Sequence, residues 1–273
     1  MEHTLALPHG TLSWDDLGPH GTSPTLVLLH GFPHDRGLWN AQRSTHQDAF
    51  PGCRLLVPDL PGFGRSGPLA STSMDGYADA VVAMLDAAGI ERAVIAGLSM
   101  GGYVAFSIWR RHAARVQAMI LLDTKAPADT DTAREKRREL IINVTRDGVG
   151  PIVPALIPQQ LGTTTRAMQP ALVAEVEAML RRAPASGVTG AAQAMIDRVD
   201  STPTLETITV PTLVIVGDED TLTPLSDSLA ISSAIRGSRL VTIPGAGHLS
   251  PLEQPAIVNA AIGEFLEVSV RDS

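Results

Sequence analysis

Cysteine is almost missing from this chain of 273 residues: Cys53 stands alone, so no disulfide can close within it. A lone thiol is more often a small buried hydrophobe than a nucleophile, and a chain without disulfides suits a reducing compartment. Long apolar runs are missing too. None approaches the roughly 20 residues that cross a bilayer, and the opening MEHTLALPHGTLSWDD lacks the charged start and apolar core of a secretory signal. A cytoplasmic protein with no membrane partner is expected. Basic clusters are scarce: 21 Lys and Arg stand against 29 Asp and Glu, a formal charge of −8, and the one basic block is REKRRE at 134–139. That balance argues against nucleic acid as a partner. With no H-E-x-x-H, no paired cysteines and no carboxylate cluster, no metal is expected. Internal repeats and low-complexity tracts are absent as well.

What is present is a chain 44% hydrophobic and 18% charged, long enough for one large domain with an elaboration, or for two small ones. Short runs rich in Val, Ile and Leu recur at 25–30, 54–60, 93–98, 118–123, 212–218 and 239–245. Their continuous apolarity, without alternation, predicts strands covered on both faces. Between them, 37–49, 73–88, 100–113, 224–236 and 254–267 carry helical spacing, so the pattern is α/β with a mostly parallel sheet. Two further strands, near 3–7 and 10–15, are expected to open the chain as an antiparallel hairpin.

The alternation lapses between Lys125 and about Leu205. Proline and glycine signals divide this stretch into helices at 131–147, 151–160, 168–182 and 187–199. Leu172, Val173, Val176, Met179 and Leu180 fall on one face of the third. The expected organisation is therefore a core of residues 1–124 and 206–273 with a helical cap, 125–205, inserted between two strands. The cap has no Phe, Trp, Tyr or His. If it faces a pocket it offers aliphatic contact and few hydrogen bonds, which suits a small to medium aliphatic substrate. The basic run Arg134, Lys136, Arg137 and Arg138 could hold an anionic substrate, but on a cap helix a solvated face is its more ordinary meaning.

Ser99 sits in Gly97-Leu98-Ser99-Met100-Gly101, a G-x-S-x-G pattern placed where a predicted strand gives way to a predicted helix. So sharp a corner forces a strained backbone on the serine, and the flanking glycines let strand and helix pass closely. The hydroxyl is then held at the carboxyl edge of the sheet, where open α/β sheets bind ligands. An idle serine in a structural glycine turn is the alternative. A nucleophilic serine needs a base, and the base needs an acid to fix its tautomer. Of eight histidines, His3, His9, His20, His46 and His112 have surface or ordinary helix contexts, whereas His248 follows a strand in IPGAGHLSPLEQP. For the acid, Asp220 in VIVGDEDTLTP is favoured over Asp123 in ILLDT; Asp218 and Glu219 would shape the turn and Asp123 would cap the insertion's first element.

These motifs resemble the α/β-hydrolase superfamily, and the resemblance spans nearly the whole chain: HGFP at 30–33, DLPGFGRSG at 59–67, GLSMGG, GDEDTLTP and GAGH appear in the family's order and spacing. The resemblance implies an α/β-hydrolase fold, a mostly parallel eight-stranded sheet with an all-helical cap inserted after strand 6. It implies a triad of Ser99, Asp220 and His248, with the amides of Phe32 and Met100 as oxyanion donors; losing one such donor typically costs about 3 kcal/mol. His30 and Gly31 would shape the oxyanion loop. The implied reaction is cofactor-free hydrolysis of a carboxylic ester or lactone through an acyl-enzyme, with a small molecule as partner; a homo-oligomer stays open. The likeness of GLSMGG extends to carbon–carbon bond hydrolases and cofactor-free haloperoxidases, and some members of the superfamily act as small-molecule sensors with little turnover. GFPHDRGLW also resembles the dehalogenase and epoxide-hydrolase branches, but their carboxylate nucleophile forms an ester that water can open, and Ser99 would leave an ether. Gly62-Phe63-Gly64-Arg65-Ser66-Gly67 spells a dinucleotide-type G-x-G-x-x-G; Pro68 stands where its helix should run, so an ordinary loop is expected.

Overall fold

The computed structural model describes residues 1–8, 10–21, 24–70 and 72–269. Eight strands form one sheet: β1 (Glu2–Leu7), β2 (Gly10–Leu17), β3 (Thr25–Leu29), β4 (Arg54–Asp59), β5 (Ala93–Leu98), β6 (Val116–Leu122), β7 (Thr212–Gly217) and β8 (Arg239–Ile243), in the order β1-β2-β4-β3-β5-β6-β7-β8. β2 pairs antiparallel with both neighbours and every other pairing is parallel. The apolar runs behave as their composition requires: every residue of β3, β4, β5 and β7 is buried, because helices cover both faces. β1 instead alternates exposed and half-buried positions, as an edge strand should.

Helices of six residues or more are α1 (Met74–Ala87), α2 (Met100–His112), α3 (Asp131–Asp147), α4 (Val153–Gln160), α5 (Thr163–Met168), α6 (Pro170–Arg181), α7 (Ala185–Asp197), α8 (Leu225–Ala234) and α9 (Pro255–Ser269). The five helices α3 to α7 lie between β6 and β7 in the chain. α3 packs on α7, and α4 and α5 pack on α6. On α6, Val176, Met179 and Leu180 are buried, with Leu172 and Val173 partly buried against the core.

Two expected helices are broken. The 37–49 segment is three short turns, Arg36–Trp39, Asn40–Ser44 and His46–Ala49. There the Ser44 and Thr45 hydroxyls both donate to the Ala41 carbonyl at 3.0 and 2.8 Å and compete with the helix ladder. The 168–182 segment begins only at Pro170, because Gln169 takes φ −127° and ψ 63°, outside the helical region that a following proline disfavours. The G-x-G-x-x-G stretch is a loop, with α1 starting only at Met74. A Cβ on Gly187 of α7 would come within 2.0 Å of the Gly62 carbonyl oxygen, so the loop is a seat for the insertion.

Candidate active site

Ser99 stands between β5 and α2 with φ 53° and ψ −111°, one of two non-glycine residues at positive φ among those described. The glycines beside it are there for close approach. A Cβ on Gly97 would lie 2.2 Å from the Gly101 carbonyl oxygen, and one on Gly101 would lie 2.3 Å from that of Leu29. The corner is tied down by Ser99 N–H donating to Leu122 O at 2.9 Å and by the Thr124 hydroxyl donating to Ser99 O at 2.8 Å. Strand, elbow and helix coincide as the motif requires.

His248 follows β8 and is buried, and its Nδ1 lies 2.8 Å from Asp220 Oδ2. Asp220 follows β7; its carboxylate also accepts Leu222 N–H at 2.8 Å, Thr223 N–H at 3.1 Å and the Thr223 hydroxyl at 2.6 Å. Burial opposes ionisation of this carboxyl, but the His248 charge, the His248 hydrogen bond and the Thr223 donors outweigh it and hold its pKa below the ordinary value. Burial likewise opposes protonation of His248, and the Asp220 charge and hydrogen bond overcome it and raise the imidazole above its usual 6.5.

The competing acid, Asp123, is elsewhere engaged. It accepts Gly217 N–H at 2.8 Å and the Ser250 hydroxyl at 2.5 Å, and makes no hydrogen bond to His248. Burial, then the neighbouring Asp220 charge, drive its pKa well above the ordinary carboxyl value. Nor does Asp123 cap the insertion: the N-cap of α3 is Thr130, whose hydroxyl accepts Ala133 N–H at 3.2 Å. Asp218 and Glu219 tie the turn after β7 to other segments, accepting Gly245 N–H at 2.7 Å and Thr164 N–H at 2.8 Å.

Ser99 and His248 meet at one cavity of about 300 Å³, which Phe32 and Thr223 also line. No hydrogen bond within 3.5 Å joins the Ser99 hydroxyl to the imidazole in this structure. His248 is the one histidine on the cavity wall among the described residues; His9 lies outside them. Met100 is the first residue of α2, and the N–H groups of a helix's first turn have no acceptor within the helix. A wider surface depression of about 590 Å³ near Asn40 and Leu172 has no histidine, and its one serine hydroxyl, Ser44, is bonded to the backbone. Among the described residues no three His, Cys, Asp or Glu side chains converge as a metal would need.

The insertion docks directly on this machinery. Gln160, at the end of α4, accepts His248 N–H on its carbonyl at 3.0 Å and donates its side-chain amide to Phe32 O at 3.2 Å. Its amide oxygen accepts from His34 Nε2 at 3.0 Å. His34 is buried, and its pKa is lowered to about 3 by desolvation and then by the neighbouring His30, so it stays neutral and donates from Nε2. His30 accepts Leu60 N–H on Nε2 at 2.9 Å and donates from Nδ1 to Gly31 O at 3.0 Å, the loop-shaping part expected of it. Sequence patterns missed His34 and Gln160, because a contact spanning 126 residues leaves no periodic trace.

The wall itself corrects one expectation. Leu140, Leu156 and Met195 supply the aliphatic contact foreseen for the insertion, but Gln159, Gln160, Lys136 and Arg137 stand among them. The basic run thus reaches the cavity wall at Arg137 and at Lys136, which is also exposed to solvent.

Residues 24–255 match the family described as alpha/beta hydrolase fold. A thermophilic esterase from Thermogutta terrifontis, solved with malate bound, is similar at TM-score 0.91 and 38% identity, over 98% of this chain and 97% of that one. The 3-oxoadipate enol-lactonase 1 of Acinetobacter baylyi is 27% identical over 245 residues, 90% of this chain and 89% of the relative. The pimeloyl-[acyl-carrier protein] methyl ester esterase of Edwardsiella ictaluri is 27% identical over 246 residues, 89% and 93% of the two chains.

Proposed function

Since the chain belongs to the alpha/beta hydrolase family and is a hydrolase, we propose that it cleaves small to medium carboxylic esters or lactones with Ser99 as nucleophile, His248 as base and Asp220 as the acid that orients it. The observation that carries this reading is the hydrogen-bonded Asp220–His248 pair opening onto the same cavity as an elbow serine. In this reading a rotation about the Ser99 Cα–Cβ bond must bring Oγ to Nε2. As Oγ attacks the carbonyl carbon, His248 takes its proton, and Asp220 stabilises the imidazolium. The Phe32 and Met100 amides hold the oxyanion. The tetrahedral intermediate collapses, the alcohol leaves with the proton from His248, and water, deprotonated in turn by His248, frees the acid. For a lactone the alcohol formed in the first step remains part of the acyl chain, and the second step releases a single hydroxy acid.

The esterase and enol-lactonase relatives support this substrate class at the level of ester chemistry. Residues 125–205 act as the cap, with Gln160 joining it to the oxyanion loop and the base. A cytoplasmic setting suits a chain whose one cysteine, Cys53, is buried and in which no helix among the described residues is long and apolar enough to cross a membrane.

The test is labelling with a fluorophosphonate, expected at Ser99, and turnover of p-nitrophenyl pentanoate. Ser99→Ala should lower kcat by at least about a thousandfold; undiminished turnover removes Ser99 from the mechanism. Steady turnover is expected, and a burst of one equivalent with nothing after it would indicate a ligand sensor instead.

A further inference from the structure

The 273 residues include only two lysines, Lys125 and Lys136, against 19 arginines. Both line the Ser99 cavity. Lys125 follows the carboxyl end of β6, and Lys136 projects from the second turn of α3. Neither forms an ion pair or a hydrogen bond with a described residue. Asp227 lies within the field of Lys125 but makes no ion pair with it. Arg137, the third cation on the wall, is already committed: its Nε donates to Asp129 at 2.5 Å, and Asp129 also accepts from Arg198 at 3.0 Å. Among the described residues no Asp or Glu side chain lines the cavity. In a molecule of net charge −8, the candidate nucleophile thus faces a small chamber with uncompensated positive charge, an arrangement that concentrates anions and repels the cations that the surface attracts.

We infer that the cavity selects an ester or lactone that itself carries a carboxylate, held by the Lys125 and Lys136 ammonium groups while Ser99 addresses the scissile carbonyl. This rests on the serine-hydrolase reading and adds to it a substrate charge. At about 300 Å³ the chamber holds roughly ten water-sized groups, the size of a monoester of a four- to six-carbon dicarboxylic acid. Leu140, Leu156 and Met195 would cover the methylene chain and the lysines its far end. Two flexible ammonium groups tolerate a range of chain lengths where a rigid guanidinium fork would fix one.

The experiment compares monomethyl glutarate with methyl pentanoate, esters of equal acyl length that differ in the terminal carboxylate, by pH-stat on the intact protein. The wild type should favour the anionic ester in kcat/KM by more than about tenfold. Lys125→Gln and Lys136→Gln should each cut that ratio on the order of five- to tenfold, mainly through KM, and salt should compress it. A wild-type ratio of one or less, or a ratio that the double variant leaves unmoved, overturns the inference while ester turnover keeps the hydrolase reading standing. If neither ester nor p-nitrophenyl pentanoate is cleaved, the hydrolase reading fails, and calorimetric titration with glutarate decides the cation site. Saturable binding lost in the double variant supports the site, and no binding by the wild type ends it.

Discussion

At His248 two opposing influences meet in one side chain: burial disfavours the imidazolium, and the Asp220 carboxylate at 2.8 Å favours it more. The balance has a measurable sign. A base whose pKa is raised loses its competence at a higher pH, so the acid limb of kcat/KM should be centred above the ordinary imidazole value of 6.5. Asp220→Asn removes the charge and presents an amide N–H to Nδ1, leaving burial dominant and the wrong tautomer in place. We expect kcat to drop by about 10³- to 10⁴-fold and the limb to move to lower pH. Asp123→Asn should stay within about tenfold of wild type, because that carboxyl bonds to Gly217 and Ser250 and not to the imidazole. Equal losses in the two variants would mean the acid assignment is wrong. The proposed triad positions were legible as candidates in the sequence because each falls within a few residues of a strand's carboxyl end, where few residues offer the required chemistry. His34 and Gln160 were not, because their contacts arise only when the insertion folds back onto the loop that carries Phe32.

The elbow is the clearest case of an element whose function lies in its backbone. Gly97 has no side chain to offer a substrate, yet a methyl there would sit 2.2 Å from the Gly101 carbonyl oxygen, backbone against backbone, with no flexible side chain to yield. Gly97→Ala should therefore cost about 3 kcal/mol or more, seen as a fall in Tm of roughly 5–10 °C. It should also depress kcat, because the strand must shift under Ser99. An unaltered Tm would mean that the strand and helix can separate at no cost. Strand existence was written in apolar runs, and α3 was predicted to its last residue by its polar start and Gly148 stop. Where the reading failed, between Arg36 and Ala49, the Ser44 and Thr45 hydroxyls crowd the same Ala41 carbonyl that accepts Thr45 N–H, and periodicity carries no record of that crowding.

Across the whole molecule, charge is organised in two tiers, and the sequence showed only the outer one. The net charge can be read from the sequence, but the orientation of α3, which brings the exposed Lys136 and the half-buried Arg137 to the cavity wall, is set by its packing against α7. The inner tier sets how stability answers to pH. Asp129 is buried between Arg198 and Arg137, whose hydrogen bonds and charges outweigh desolvation and hold its pKa below 3.8. Asp16, paired with Arg54 at 2.6 Å, is depressed in the same way. A carboxyl whose folded pKa is depressed contributes fully above its unfolded pKa, and that contribution disappears as pH falls through the folded value. Asp123, raised above 3.8, works with the opposite sign: burying its ionised form costs stability as pH rises toward its folded pKa. Acid unfolding should accordingly set in below pH 3.8, driven by the Asp129 and Asp16 pairs, with Asp123's opposing contribution already complete once the pH has fallen to 3.8. Asp129→Asn isolates the first of these. It leaves two arginines short of their buried counter-charge, which should cost about 3–5 kcal/mol at pH 7, read as a lower urea midpoint. As pH falls below 3.8 the wild type protonates the same carboxyl and the two midpoints should converge; curves that stay parallel from pH 7 to pH 3 would show that the ionised state of Asp129 is not what holds α3 and α7 together.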